Sequence, residues 1–360
     1  MRIVAFHLLN DFSGSPKVLR QLLSAWVKEG LDIHLFTAGG KNGFLSGLDG
    51  ISYHPFWYRW KANPYARLVT YSISQLILFI LAYRMLKKED LVYVNTVLPF
   101  GAALAGKLRG CRIVYHLHET TVNPPVLKRF LFGVVRRTTT EAICVSRYMA
   151  QNLDLGGKRL HILYNVLDNH FVENAVLKEK PVTRDKILMI CSMKWYKGVF
   201  EFIELAKVLN FYRFRLVLNA SEKEIASFFK DHTLPENLEI FPVQTNVHPH
   251  FQWADLVLNL SRPDGWVETF GLTVLEAMAY HLPVIVPPVG GIAELVENGK
   301  NGYKIDCRNP VSLSRTTVEI LQDNTLYESL QDHAALKVKN FTEENFVKQS
   351  LEILMPVSRG

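Results

Sequence analysis

Short apolar runs alternate with longer amphipathic ones along this chain, and that alternation limits what it can fold into. Arg2–Leu9 reads as a strand. Ser13-Gly14-Ser15-Pro16 then reads as a turn into a helix, with Ser15 as N-cap and Pro16 at the first helical position. The helix is expected to run to about Glu29, where Gly30 stops it. Further strand signals fall at Asp32–Thr37, Leu91–Asn95, Arg112–Leu117 and Ala142–Val145, with helical signals between several of them. Strands separated by helix-length crossovers pair in parallel, and the helices cover both faces of the sheet. The expected class is therefore α/β and doubly wound.

At 360 residues, the length suggests two domains. The pattern breaks in the polar, mixed-charge stretch from Asn169 to Asp185, where a linker is expected. A second series follows: strand KILMICSM, a helix from about Lys197, strand FRLVLN, a helix from about Ser221, strand LEIFP, strand DLVLNLS, a helix from about Gly271 and strand PVIVP. The expected domains are 1–170 and 171–360, with room for the last helix to pack back on the first. Two such Rossmann-like domains would face each other across a central cleft, since ligands of open α/β sheets bind beyond the carboxyl ends of the strands.

Charge divides the same way. Residues 1–170 hold 21 Lys and Arg against 10 acids, whereas residues 171–360 hold 20 against 24. A basic first half suits a polyanion or an anionic membrane surface. No nucleic-acid motif is present, and the aromatics do not interleave with basic residues as a stacking platform would. Leu68–Leu86 approaches membrane length but carries Thr70, Ser72, Ser74, Gln75 and Arg84, so it reads as a buried or membrane-surface helix rather than a spanning one. The apolar run after Arg2 is too short and too broken for a signal peptide. The four cysteines are far apart, which argues against a zinc knuckle or a disulfide framework and for a reducing compartment. A cytoplasmic protein is expected, at the inner face of a membrane if it is peripheral.

The chemistry concentrates in residues 255–302. A buried strand gives way to a polar loop with Arg262, Asp264, Gly265 and Glu268, and a helix begins near Gly271 and carries Glu276. The opening of that helix (Phe270, Gly271, Leu272, Thr273) offers unpaired N–H groups and a positive dipole end, a place for phosphate. Glu268 and Glu276, eight positions apart, would be separated by roughly 10–12 Å along a helix axis. They cannot share a proton, but they can accept hydroxyls at two ends of an extended ligand. A nucleotide sugar, with ribose, diphosphate and sugar in a row, has that layout.

This segment resembles the signature of the retaining glycosyltransferases of family 4, which have the GT-B fold. Glu268 and Glu276 match the family's Glu-x7-Glu, set in ETFGLTVLEAMA, then PVIV, then GGI-x-ELV and NG. The resemblance implies that Glu276 binds the ribose, that Glu268 contacts the donor sugar, and that the backbone of Phe270–Thr273 holds the diphosphate. It implies that Lys197, in the run CSMKWYKG, faces the donor phosphates. Ser192 stands where the family often has arginine. Lys194 could supply charge there, but not a bidentate fork. Gly14 lies in the family's glycine-rich loop, which here lacks the usual Gly-Gly pair. His116 and His118 share one face at a strand end, and two histidines are too few for a zinc site. His118 is instead expected beside the sugar. Ser146 and Asn165 also resemble family positions.

The resemblance further implies a UDP- or GDP-linked donor, no metal and no cofactor. A glycan or a polyprenyl-diphosphate-linked sugar is the expected acceptor, as in surface polysaccharide biosynthesis. The alternatives are an epimerase or phosphorylase on the same architecture, or a non-catalytic sugar-binding or assembly subunit, to which Ser192 and the thin glycine loop would point.

Overall fold

The computed structural model describes residues 1–40, 42–175 and 183–355, and the chain divides into two compact units: Met1–Asn165 with Glu344–Gly360, and Val166–Glu343. Of the expected linker, residues 176–182 lie outside the described residues.

The strands of the first unit are β1 Arg2–Phe6, β2 Asp32–Ala38, β3 Ile51–Phe56, β4 Leu91–Asn95, β5 Arg112–Leu117, β6 Glu141–Cys144 and β7 Arg159–Ile162. Helices α1 Gly14–Lys28, α2 Pro64–Met85, α3 Phe100–Arg109, α4 Pro125–Thr138 and α5 Arg147–Gln151 connect them. The sheet is all parallel, in the order β3-β2-β1-β4-β5-β6-β7. In the second unit, α6 Asn169–Glu173 precedes β8 Lys186–Cys191, α7 Val199–Val208, β9 Arg213–Leu218, α8 Glu222–Phe229, β10 Leu238–Phe241, α9 His248–Trp253, β11 Leu256–Leu258, α10 Leu272–Ala279, β12 Val284–Val286, β13 Gly302–Lys304, α11 Pro310–Gln322 and α12 Asn324–Val338. Its sheet is also parallel, in the order β10-β9-β8-β11-β12-β13. The last helix, α13 Glu343–Leu354, closes the chain. Each sheet starts at its centre and winds outward twice, the doubly wound arrangement expected from the alternation.

The central strands are apolar on both faces, as helix-covered parallel strands must be. Ile3, Val4, Ala5 and Phe6 of β1 are fully buried, as are Val92, Tyr93, Val94 and Asn95 of β4. Edge strands lack that property. β3 (ISYHPF) contains Pro55 and exposes Ser52 and Tyr53, β7 (RLHI) is half-exposed, and β13 has three residues. None of the three is visible as an apolar run.

Two local expectations hold: Gly30 is left-handed just past α1, and α8 starts directly after Ser221. Ser221 and Glu224 also form a reciprocal capping box there. One is corrected: Ser13, not Ser15, is the N-cap of α1, so Pro16 is its third residue rather than its first. Ser13 makes no side-chain cap bond, and its hydroxyl donates to Asp11 Oδ1 at 2.5 Å.

Helix α13 is tied into the first unit by polar anchors. The Trp26 indole donates to Ser350 Oγ at 3.1 Å within the core. Arg112 donates to the carbonyls of Leu354 and, at 2.6 Å, Ile353, while also pairing with Glu141. A guanidinium at a helix C-terminus satisfies carbonyls that have no intrahelical partner and suits the dipole. Arg112→Met is expected to cost about 1–3 kcal/mol, the worth of charge-assisted bonds left unmade. Amide exchange should rise in residues 344–355 first. Unchanged protection there would contradict the anchoring role.

Candidate functional site

In the second sheet, the winding direction reverses between β8 and β11, and the chemistry-bearing residues follow the carboxyl ends of these two strands. After β8, the turn Trp195–Lys197 ends on Gly198, which is left-handed at φ 78°. A β-carbon at Gly198 would collide with the carbonyl oxygen of Leu260 just beyond β11, so only glycine lets the two loops meet. That approach brings Lys197 to Glu268.

Lys197 Nζ donates to Glu268 Oε1, and Ser261 Oγ donates to the same oxygen at 2.8 Å. Both charged side chains are largely withdrawn from water, at 16% and 15% exposed. Burial by itself would raise the Glu268 carboxyl. The Lys197 ammonium, with the Ser261 hydroxyl and the Trp266 indole, overrides it, and the carboxyl lies below its ordinary value. Lys197 Nζ also lies 5.6 Å from the centre of the Trp266 ring, which stacks on Tyr196. The pair is thus ionised and fixed. Lys197 has three N–H donors, and one bond to Glu268 leaves two for an anion.

Gly271 is the N-cap of α10, at φ 107°. A β-carbon there would lie 2.6 Å from Ile292 Cγ1, so the tight entry to the helix requires glycine. Leu272 and Thr273 are the first two helical residues, and their N–H groups come before the first intrahelical donor, Val274 N, which bonds Gly271 O. The Phe270 side chain is buried, 6.1 Å edge-on from Phe341, and anchors the loop. Gly291 N donates to Glu268 O at 2.8 Å, tying the loop to the turn after β12. Glu276 is buried in the second turn of α10.

The structure therefore joins Lys197 with Glu268 and sets Phe270–Thr273 at the start of the helix that carries Glu276. It does not bring Lys194 to them: that side chain is exposed, and its charge acts on Glu224 at the start of α8. Nor does Arg262 replace the arginine absent at Ser192, because it is committed to Glu201 at 2.8 Å and Asp264 at 3.0 Å. Ser261 and Trp266 were not singled out by sequence. Ser261 had a signal, as the first hydroxyl beyond a buried apolar strand.

The first unit carries its own polar cluster at the corresponding reversal, between β1 and β4. Asn95 closes β4 and donates to His7 Nδ1 at 3.0 Å and to Ser15 O at 3.2 Å. Its Oδ1 accepts from His118 Nε2 at 2.9 Å. His118 follows β5, its ring 4.2 Å from that of His116. Gly14 is the first residue of α1, next to the Ser15 carbonyl that Asn95 holds. Burial pushes His7 down to about 4 and His116 to about 3. Burial, then the neighbouring His116 and His7, holds His118 well below the ordinary imidazole value. His118 is a neutral imidazole with its proton on Nε2, a hydrogen-bonding group rather than a cation. Ser146 accepts from Met149 N as the cap of α5, and Asn165 is buried at the end of the unit.

Sequence reasoning did not single out Asn95 or Glu119. Glu119 accepts from Val97 N at 3.0 Å and His118 N at 3.2 Å, pinning the loops after β4 and β5 together. Burial raises its carboxyl to about 7 despite these bonds. The folded state thus prefers the protonated acid, and stability falls as pH rises from the ordinary carboxylate range to about 7. The depressed histidines act oppositely, losing stability as pH falls below the ordinary imidazole value. The difference between the wild-type and Glu119→Gln stability curves isolates the carboxyl: the variant should lose the decline approaching pH 7. Parallel curves would contradict it.

Two family models match the chain: Glycosyltransferase Family 4 over residues 12–171, and Glycosyl transferases group 1 over residues 173–337. The N-acetyl-alpha-D-glucosaminyl L-malate synthase of Bacillus anthracis is 26% identical, the match covering 96% of this chain and 94% of that one. An uncharacterized glycosyltransferase of Methanocaldococcus jannaschii is 25% identical over 83% of this chain and 88% of its own. Among solved structures, Anabaena HepE in complex with UDP and glucose superposes with a TM-score of 0.79 at 19% identity, covering 99% of both chains. Sucrose-phosphate synthase from Thermosynechococcus elongatus gives 0.78 at 15% identity, covering 99% of this chain and 98% of that one.

Proposed function

We propose that this chain, which belongs to the family 4 glycosyltransferases and has their GT-B fold, moves a sugar from a nucleoside-diphosphate donor to a glycan or lipid-linked acceptor with retention of configuration. The observation that carries the reading is the buried Lys197–Glu268 pair ahead of α10. It supplies a fixed cation and a fixed carboxylate beside a helix start suited to phosphate.

Glu276 takes the ribose hydroxyls and Glu268 the donor sugar, with the diphosphate on the Phe270–Thr273 backbone and Lys197. As the bond from the anomeric carbon to the phosphate oxygen breaks, negative charge grows on the leaving diphosphate. Lys197 and the helix start stabilise it without reorganising, and no metal ion is called for. The acceptor hydroxyl attacks the anomeric carbon from the face the phosphate leaves, and its proton passes to the departing phosphate oxygen. His118, neutral, hydrogen-bonds a sugar hydroxyl.

A UDP-linked donor is supported by the Anabaena structures, solved with UDP and with UDP-glucose; GDP is the other base to test. The reading puts the enzyme in the cytoplasm, building a surface polysaccharide. A small hydroxy-acid acceptor is the second reading, favoured by the name of the Bacillus anthracis relative that matches end to end.

Thermal shift against UDP- and GDP-sugars identifies the donor, since a ligand of the native state raises the melting temperature. Glu276→Ala should weaken the donor roughly 10–100-fold, the worth of hydrogen bonds to a charged group. Lys197→Met should lower kcat by about 10²–10³, the size of a lost charge-stabilising donor. A melting temperature indifferent to every sugar nucleotide, or Glu276→Ala binding the donor as wild type does, would contradict the assignment.

A further inference from the structure

Helix α2 is built inside out. Its protein-facing side holds Tyr71, Ser74, Gln75, Leu78 and Ala82, and Tyr71 and Gln75 bond beyond the helix. Tyr71 OH donates to Leu98 O at 2.6 Å, and Gln75 Oε1 accepts from Gly101 N at 3.1 Å. α3 meets this side with small residues, and a β-carbon at Gly101 would collide with the Gln75 carbonyl. Its outward side is a stripe at helical spacing: Tyr65, Leu68, Val69, Ile73, Leu76, Ile80 and Tyr83, all exposed. Only 28% of the most apolar 18-residue window of the helix is buried. A helix on the surface of a soluble domain normally shows the reverse polarity.

The charge around the stripe has one sign. Residues 57–88 contain Arg59, Lys61, Arg67, Arg84, Lys87 and Lys88 and no Asp or Glu. Across residues 57–140, thirteen Lys and Arg face three acids, which accounts for nearly all the positive excess of the first half. One of those acids, Asp90, is buried against Arg2, and another is Glu119. The cations lie beside aromatics at both ends of the stripe. Arg67 sits 5.4 Å over Trp60, and Arg109 sits 4.1 Å over Tyr83. Trp57 and Trp60, ahead of the helix, are exposed too. Phe100 packs edge-on against both Tyr71 and the exposed Phe130 of α4, which also carries Lys128 and Arg129.

We propose that this face of the first unit docks on an anionic lipid bilayer, with α2 lying in the interfacial plane. The aliphatic stripe would enter the boundary between headgroups and acyl chains, Trp57, Trp60, Tyr65 and Tyr83 would sit at headgroup depth, and the surrounding Arg and Lys would meet lipid phosphates. A second copy of this chain would set cation against cation across the same face. Spanning would break the Tyr71 and Gln75 bonds that hold α2 on α3. The inference deepens the lipid-linked branch of the proposed function, and its test needs neither donor nor acceptor.

The test is co-sedimentation of the full chain with phosphatidylcholine vesicles, with and without phosphatidylglycerol. Binding is expected with the anionic vesicles, weakened by salt. Leu76→Glu with Ile80→Glu, and separately Arg84→Glu with Lys87→Glu and Lys88→Glu, should each weaken it about tenfold or more. The melting temperature and its shift with nucleotide should stay as in wild type, which separates a lost docking face from a lost fold. Three outcomes overturn the proposal: no binding to anionic vesicles at low salt, a dimer in solution that Leu76→Glu dissolves, or retention in the membrane after alkaline extraction. Failure here with donor binding intact leaves the transfer chemistry standing, and the converse leaves the docking face standing.

Discussion

A parallel sheet covered by helices on both faces leaves little place for polar chemistry along its strands. The innermost strands here are apolar through most of their length, and Asn95 of β4 and His116 of β5 fall in their last two residues, so functional groups gather where the strands run out at their carboxyl ends. The reversal of winding then selects one such place in each unit, because the loops on either side of it turn away from each other and leave room. In the second unit, those loops deliver Lys197 from β8 and Ser261 and Glu268 from β11. In the first, they deliver His7 from β1, Asn95 from β4 and His118 from β5.

Desolvation acts on both places with opposite results. Glu268 loses water but gains an ammonium, a hydroxyl and an indole, and its carboxyl is held below the ordinary value. Glu119 loses water and gains only backbone N–H groups, and its carboxyl rises to about 7. The histidines around Asn95 are pushed down by burial. The second unit thus presents a fixed ion pair, and the first a set of neutral hydrogen-bonding groups.

The α/β class, the parallel sheets and most central strands were legible because both-face burial forces continuous apolar runs. Leu91–Asn95 and Arg112–Leu117 were read to the residue. β3, β7 and β13 were not, because an edge strand buries one face or less and can carry Pro55, His161 or a glycine. The start of α1 was misplaced by two residues, since a serine in a Ser-Gly-Ser-Pro run has no local mark of which φ/ψ it adopts. In the site, the motif located Glu268, Glu276 and the start of α10, and a lysine-glycine pair located Lys197. The direct contact between Lys197 and Glu268 was not legible, because 71 positions separate them and only the meeting of Gly198 with Leu260 brings them together. Glu119 went unnoticed because a lone acid after a strand carries no pattern.

The central claim is that the start of α10, with Lys197 and Glu276, holds the nucleoside diphosphate of an activated sugar. A crystal structure of the chain with UDP or GDP bound tests it most directly. The account predicts the ribose hydroxyls against the Glu276 carboxylate and the phosphates within hydrogen-bonding distance of Lys197 Nζ and the amides at Gly271–Thr273. A nucleotide bound on other elements, with the Lys197–Glu268 pair and the α10 start untouched, would contradict it.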